Sequence, residues 1–313
     1  MQNIKTCEFV SPRHPDKMCD FLADSLLDEY LAQDPKSRVA IELMGGHKNI
    51  TVSGEVTSAA LIDIPAVLKK ILGDDFDVHV YVSQQSPFIA QGVDSGGAGD
   101  QGVMIGYATN ETRNFMPLEY ELARNLCKWI YEKYPYDGKT QVTTKDGKAS
   151  TVVASFQNTS SRDLETMVRA IMPADEYLIN PAGEWSMGGF DADSGLSGRK
   201  IVIDNYGPET GIGGGSFSGK DFTKVDRSAA YMARRIAVDL LKKYGAAKVR
   251  TKIAYAIGKK NPVMAVASVD GKLEPITGYD LSPKGIYEFL ELSKVQFKDT
   301  AVWGHFGRNF SWK

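Results

Sequence analysis

The sequence predicts an α+β protein and hints at a unit used three times, although no clear internal sequence repeat accompanies the hint. Two observations carry that reading: apolar stripes at helical spacing are interspersed with short alternating strands, and glycine-rich breaks at 92–102 and 188–198 cut the chain into thirds. Each third holds strands and at least one helix. Four segments read as helices. Residues 16–32 place Met18, Leu22, Leu26 and Tyr30 on one face, with Asp34-Pro35 as the stop. Residues 117–134 open on proline and repeat Leu118, Leu122 and Leu126; residues 161–171 end before Pro173. Residues 226–244 carry Ala229, Ala233, Ile236, Ala237 and Leu240 as a stripe, with Gly245 past the end. Strands are expected at 39–43, 49–56, 78–82, 149–157, 200–204, 248–257 and 263–268, several alternating as sheets with one buried face do.

With 313 residues, 42% hydrophobic and 24% charged, the chain is long enough for one to three domains with a substantial core. A net charge of -2 argues against a nucleic-acid surface built from bulk positive charge, so local clusters of cations carry the information. Cys7, Cys19 and Cys127 lack metal or redox spacing, as reduced cytosolic thiols do. Met1-Gln2-Asn3-Ile4-Lys5-Thr6 lacks the apolar core of a signal peptide, and no apolar run spans a bilayer. The expectation is a cytoplasmic protein with neither membrane nor nucleic acid as partner.

The densest chemistry lies at Gly213-Gly214-Gly215-Ser216-Phe217-Ser218-Gly219-Lys220-Asp221, continuing through Lys224 to Asp226-Arg227. A pliant backbone, cations and carboxylates at close spacing suit a polyphosphate. Gly214 to Lys220 matches most of a Walker A loop, but Asp221 stands where Ser or Thr would ligate magnesium, and no apolar strand feeds the loop. Ser11-Pro12-Arg13-His14-Pro15-Asp16-Lys17-Met18 puts Asp16 at a helix start, where amides favour anions. By itself that reads as a capping aspartate beside a loop histidine. Gly97-Ala98-Gly99-Asp100-Gln101-Gly102 surrounds one carboxylate with glycines and serves equally as a plain turn. Asp191, Asp193, Arg199 and Lys200 follow Gly188-Gly189, and Asp137-Gly138-Lys139 reads singly as a solvated turn. Four histidines form no zinc cluster.

Together, His14-Pro15-Asp16-Lys17, Gly97 to Gly102, Gly195-Leu196-Ser197-Gly198-Arg199-Lys200, Gly213 to Arg227 and the closing Gly304-His305-Phe306-Gly307-Arg308 resemble the S-adenosylmethionine synthetase family in content and order. The resemblance implies three similar α+β domains about a pseudo-threefold axis, here 1–88, 97–187 and 188–313, with sheets packed at a subunit interface. It implies ATP and L-methionine as substrates, Mg2+ and K+ as cofactors, and a homodimer, or dimer of dimers, with active sites between subunits. The implied reaction is attack of the methionine sulfur on the 5′ carbon of ATP, with triphosphate leaving and then hydrolysed. By the same resemblance, His14 donates to the departing oxygen, and Lys139, Arg199, Lys200, Lys220 and Lys224 surround the triphosphate. Asp16 and Asp226 are implied magnesium ligands and Glu42 a potassium ligand. Glu55, Gln85, Asp100, Asp193 and Lys224 are implied for methionine, and Asp137, Trp185, Ser216 and Ile257 for the nucleoside.

The chain departs from the family pattern at Arg13 in place of glycine, Ile212 in place of histidine and Trp185 in place of a stacking phenylalanine. It is also trimmed between Glu55 and Gln85 and from Asp94 to Gly97. Two other readings stand beside this one: an NTPase or kinase built on Gly214 to Lys220, and a non-catalytic homologue.

Overall fold

The computed structural model describes residues 3–85 and 96–313; the start of the first glycine-rich break and the trimmed positions 94–95 lie outside them. Among the described residues, strands form three four-stranded sheets. The first contains β1 (Ile4–Val10), β6 (Gly138–Lys145), β7 (Lys148–Phe156) and β8 (Glu176–Ile179). The second runs β9 (Gly195–Leu196), β2 (Arg38–Gly46), β3 (Asn49–Thr57), β4 (Asp77–Ser83). The third runs β5 (Gly102–Thr109), β10 (Lys248–Tyr255), β11 (Met264–Val269), β12 (Lys272–Pro275).

Strand exchange links the thirds in a cycle. β1 leaves the first third for the sheet of the second, β5 leaves the second for the third, and β9 leaves the third for the first. On each sheet a long helix covers the immigrant strand and its neighbour: α1 (Pro15–Gln33) on β9 and β2, α3 (Leu118–Lys133) on β1 and β6, and α6 (Val225–Tyr244) on β5 and β10. Two sheets end in a parallel pair joined through a helix, α2 (Ile64–Leu72) between β3 and β4 and α4 (Ser161–Ile171) between β7 and β8. The third instead closes with a two-residue hairpin at Asp270-Gly271, both at positive φ, so β12 is antiparallel. These are three similar α+β units sharing one continuous core, in which Leu26, Ile41, Tyr107, Tyr120, Phe156, Tyr231 and Phe306 all belong.

The alternation of β2 buries Val39, Ile41 and Leu43 and turns Glu42 and Met44 outward. The four long helices form within one residue of their expected ends, since stripe, proline and glycine signals agree there. Residues 200–204 correct the reading. They were expected as a strand and form the short helix α5 (Ile201–Asp204), with Asp204 N–H on Lys200 O at 2.8 Å. A helical turn sets Lys200 and Asp204 on one side, so that Lys200 meets Asp16 while Asp204 meets Lys17. Those ion pairs, the second of them fully buried, override the β preference of Ile201-Val202-Ile203. Two further helices, α7 (Pro283–Phe289) and α8 (Phe297–Val302), complete the C-terminal part. No helix among the described residues is long and apolar enough to cross a membrane.

Helix α1 is buried on two faces, one apolar and one acidic. Asp16, Asp20, Asp24 and Asp28 recur every fourth residue, so they stack along one side of the helix. Each accepts backbone N–H groups from distant chain: Asp16 from Leu196 (2.9 Å), Asp20 from Gly198 (2.8 Å), Asp24 from Gly219 (2.9 Å), and Asp28 from Phe297 (2.8 Å) and Lys298 (3.0 Å). Asp24 also receives both terminal nitrogens of buried Arg227, at 2.6 and 2.8 Å. Removing one member of such a pair strands a charge out of water, which costs about 3–5 kcal/mol. Urea unfolding of Arg227→Met and of Asp24→Leu will each show a loss of this size. The double variant will lose less than the sum, and strict additivity of the two losses would refute the coupling.

Candidate active site

At the start of α1, His14 is the cap: its Nδ1 accepts the Asp16 N–H at 3.1 Å. Asp16 sits in the first turn instead of capping it, which reverses the simple reading of the pair. Burial, with the Lys200 and Lys139 charges adding to it, lowers the His14 pKa to about 3, so the imidazole is neutral. With Nδ1 accepting, the proton of the neutral ring is on Nε2, and His14 presents an N–H donor.

The Asp16 carboxylate is almost fully buried. Its Oδ2 takes Lys200 Nζ at 2.6 Å, and Arg199 Nε lies 3.5 Å from Oδ1. Burial pushes its pKa up, but the Lys200 ammonium and the Leu196 N–H outweigh that and hold it below the usual carboxylate value. The turn that delivers Arg199 and Lys200 needs Gly198, at φ +81; a Cβ there would also lie 2.6 Å from Ser216 Cβ. That contact brings the glycine-rich loop to the same turn. Beneath, Lys17 is wholly buried against Asp20 and Asp204, and Asp20 in turn holds Gly198 N.

The glycine-rich loop is fastened to the edge of β2 alongside β9: Ile41 N–H bonds Gly219 O, Asp221 N–H bonds Val39 O, and Ala40 bridges Lys220. Asp221 is fully buried. Its oxygens accept from Val39 N at 2.7 Å, Thr223 N at 2.8 Å and Lys224 Nζ at 2.9 Å. The residue at the Walker A metal position is therefore a fastening, and Lys224 is engaged by it. Lys220 remains at the surface of the loop, paired with Asp226 Oδ2 at 3.0 Å, and Asp226 Oδ1 is directed toward Gly215.

Asp137 is buried, not a solvated turn: Oδ2 accepts the Gly189 N–H at 2.9 Å, while Oδ1 has no partner. Burial raises its pKa. It lines a cavity of about 350 Å³ with Arg13, Tyr136, Gln157 and Gly188. Lys139, next on β6, is exposed, and Trp185 is half-buried with its indole N–H on Ser155 Oγ at 3.0 Å. Exposed Asp193 lies close enough to act electrostatically on both His14 and Asp137.

The predicted residues thus gather in two groups. His14, Asp16, Asp137, Lys139, Trp185, Asp193, Arg199 and Lys200 surround the start of α1. Lys220, Lys224 and Asp226 lie by the loop. The Asp100 turn reaches toward that loop: Ala98 exchanges hydrogen bonds with Gly258 and Lys259, next to exposed Ile257, and Gly102 lies beside Asp226. Among the described residues no ion pair joins the two groups, and Ser216 lies against Gly198 between them. Glu42 and Glu55 occupy β2 and β3, and Gln85 is buried with an unpartnered Oε1. Asp100 and Asp193 each accept the next residue's N–H at 2.7 Å. Ile212 is half-exposed ahead of the loop. Sequence reasoning missed Asp20 and Asp24, and the fastening roles of Lys17 and Asp221; for the aspartates the four-residue spacing on α1 was the available signal.

Comparison with known proteins identifies the family. Family models for the N-terminal, central and C-terminal domains of S-adenosylmethionine synthetase match residues 2–87, 95–185 and 187–313. The S-adenosylmethionine synthase of Nocardia farcinica (strain IFM 10152) is 39% identical, covering 97% of this chain and 92% of that protein. That of Clostridium botulinum (strain Alaska E43 / Type E3) is 39% identical over 98% and 95%, and that of Desulforudis audaxviator (strain MP104C) 37% over 100% and 96%. The last alignment spans 378 positions against 313 residues here, so that relative carries stretches this chain lacks. With all three domain models matched in order and full-length relatives well above 30% identity, the chain belongs to the S-adenosylmethionine synthetase family.

Proposed function

We propose that this methionine adenosyltransferase joins L-methionine to ATP by attack of sulfur on the 5′ carbon. The C5′–O bond breaks with its electron pair on triphosphate, and one water then cleaves triphosphate to phosphate and pyrophosphate. The observation that supports this best is His14: a buried neutral imidazole, its Nε2–H available, beside Asp16, Arg199 and Lys200. A fixed donor and fixed cations stabilise the charge that grows on a departing phosphate oxygen. Lys139, Arg199, Lys200 and Lys220 serve that charge. Lys224, held by Asp221, serves it by fastening the loop.

Asp137, with an unpartnered oxygen at the cavity, receives the ribose hydroxyls, Trp185 the base, and Ser216, Ile257 and Asp193 the rest of the nucleoside. Glu55, Gln85, Asp100 and Asp193 take the methionine end. Asp226 fits magnesium, since its Oδ1 is directed at the loop with no hydrogen bond of its own among the described residues, and Asp16 would join it by exchanging its Lys200 partner for the ion, which is held by one or two carboxylates plus substrate phosphates. When bound it offsets phosphate charge. Glu42 stands exposed on β2, outside any group of three or more acidic, His or Cys side chains among the described residues, so potassium is assigned no step. The two residue groups are fastened to α1 at Asp16 and Asp24, roughly 12 Å apart at 1.5 Å per residue. A second copy of the chain completing each site belongs to the same proposal. An NTPase reading is disfavoured by Asp221, whose oxygens are both occupied.

Incubation with ATP and methionine will yield a sulfonium product by mass spectrometry together with phosphate and pyrophosphate; ADP and phosphate alone would mean the NTPase. Lys220→Met will lower kcat by roughly 10²–10³ with an unchanged melting profile, and wild-type turnover would remove Lys220 from the reaction. For His14 the sign runs toward acid instability. Unfolded imidazole binds its proton near 6.5 and the folded one near 3, so the penalty is absent above 6.5 and grows as pH falls through that window. NMR of the free protein will show His14 neutral from pH 8 to 5, and a midpoint near 6.5 would overturn the assignment.

A further inference from the structure

Residues 185–188 belong to no helix or strand, yet they are fixed at several points. Trp185 Nε1–H donates to Ser155 Oγ at 3.0 Å, and Asn158 N–H donates to Trp185 O at 2.9 Å. Gln157 Nε2 donates to Ser186 O at 2.9 Å, and Gly189 N–H to Asp137 Oδ2 at 2.9 Å. A Cβ on Gly188 would stand 2.8 Å from Trp185 Cζ3 and 2.5 Å from Gln157 Oε1, so only glycine lets the indole edge lie against this backbone.

Ser155 is the Cα partner of Lys139 across β6 and β7. Directly opposed residues project on the same face. The hydroxyl therefore ties the indole to the face that displays the Lys139 ammonium. Indole N–H is donor only, and a phenylalanine at this position would have nothing to offer the serine. A half-buried aromatic ring held at its nitrogen, at its backbone and along one edge has already lost the rotational freedom that ligand binding would otherwise remove.

We propose that Ser155 is a positioning residue for nucleobase recognition: it locks the Trp185 indole so that a purine-sized base stacks on it while its phosphates reach Lys139. This rests on the reading of Trp185 as the base platform. Steady-state kinetics with ATP as the varied substrate test both. Trp185→Ala will raise the KM for ATP roughly tenfold or more, in line with the loss of one base–aromatic stack. Ser155→Ala will raise it about three- to tenfold, leaving kcat and the KM for methionine near wild type, and Ser155→Thr will restore it. In a Trp185→Phe background, Ser155→Ala will add nothing.

A Trp185→Ala protein with wild-type KM for ATP would sink the platform reading and this inference with it. A raised KM in Trp185→Ala but not in Ser155→Ala would sink the inference alone. A full Ser155→Ala effect in the phenylalanine background would also sink it, because the hydroxyl would then act without the indole. Equal melting temperatures separate these outcomes from misfolding.

Discussion

The acidic face of α1 is the constraint on which the rest depends. Aspartate is a poor helix former, and four of them on a largely buried helix would be strongly unfavourable if left unpaired. Here each carboxylate is matched by backbone N–H groups, and Asp16, Asp20 and Asp24 also meet a Lys or Arg. Hydrogen bonds to ionised acceptors are among the strong ones, and in a dry interior they are also specific in place. Successive aspartates rise about 6 Å along the helix, so α1 acts as a ruler. It sets the turn bearing Arg199 and Lys200, the glycine-rich loop and the first turn of α8 at fixed intervals along one axis.

A site for a highly charged ligand must keep its cations ready without letting their mutual repulsion unfold it. Lys200 on Asp16 and Lys220 on Asp226 meet that need with pairs that stay partly open to solvent. Lys17, by contrast, is sealed between Asp20 and Asp204, and Arg227 between Asp24 and Thr300. On the proposed function the accessible pairs would exchange partners with phosphate; the sealed pairs hold the segments on which the accessible ones sit. Neutral His14 fits the same logic, since burial keeps its ring uncharged and the surrounding cations that would serve a phosphate add to that effect.

Much of this was legible in the sequence. Stripe and stop signals located four helices closely, and the motifs around His14, Arg199 and Lys220 named residues that the fold gathers about α1. What was hidden depends on distant pairing. β6 is rich in Lys and Thr and β1 is irregular in pattern, and they pair with each other from different thirds of the chain. Residues 200–204 look like a strand until Lys17 and Asp16 are placed beside them. Asp137 reads as a turn residue, and burial beneath Gly189 is invisible in Asp-Gly-Lys. The aspartate spacing was on view, but a polar stripe on a helix usually faces water, and only the packed structure shows it facing inward. A lone serine such as Ser155 has no pattern to betray it.

The loop at 213–227 shows how similar words can serve different chemistry. A Walker A loop wraps its backbone around phosphates at a helix N-terminus and lends a hydroxyl to the metal, an arrangement suited to transfer at the terminal phosphorus. Here the position of that hydroxyl is Asp221, used entirely to fasten the loop to β2 and to Lys224. The cations are instead spread over β6, the turn after β9 and the loop itself, as Lys139, Arg199, Lys200 and Lys220. Spreading positive charge over separate segments suits stabilising a whole polyphosphate as it departs, better than activating one end of it. The proposed bond breaking at carbon, with the entire tail as leaving group, is chemistry that asks for such a distribution.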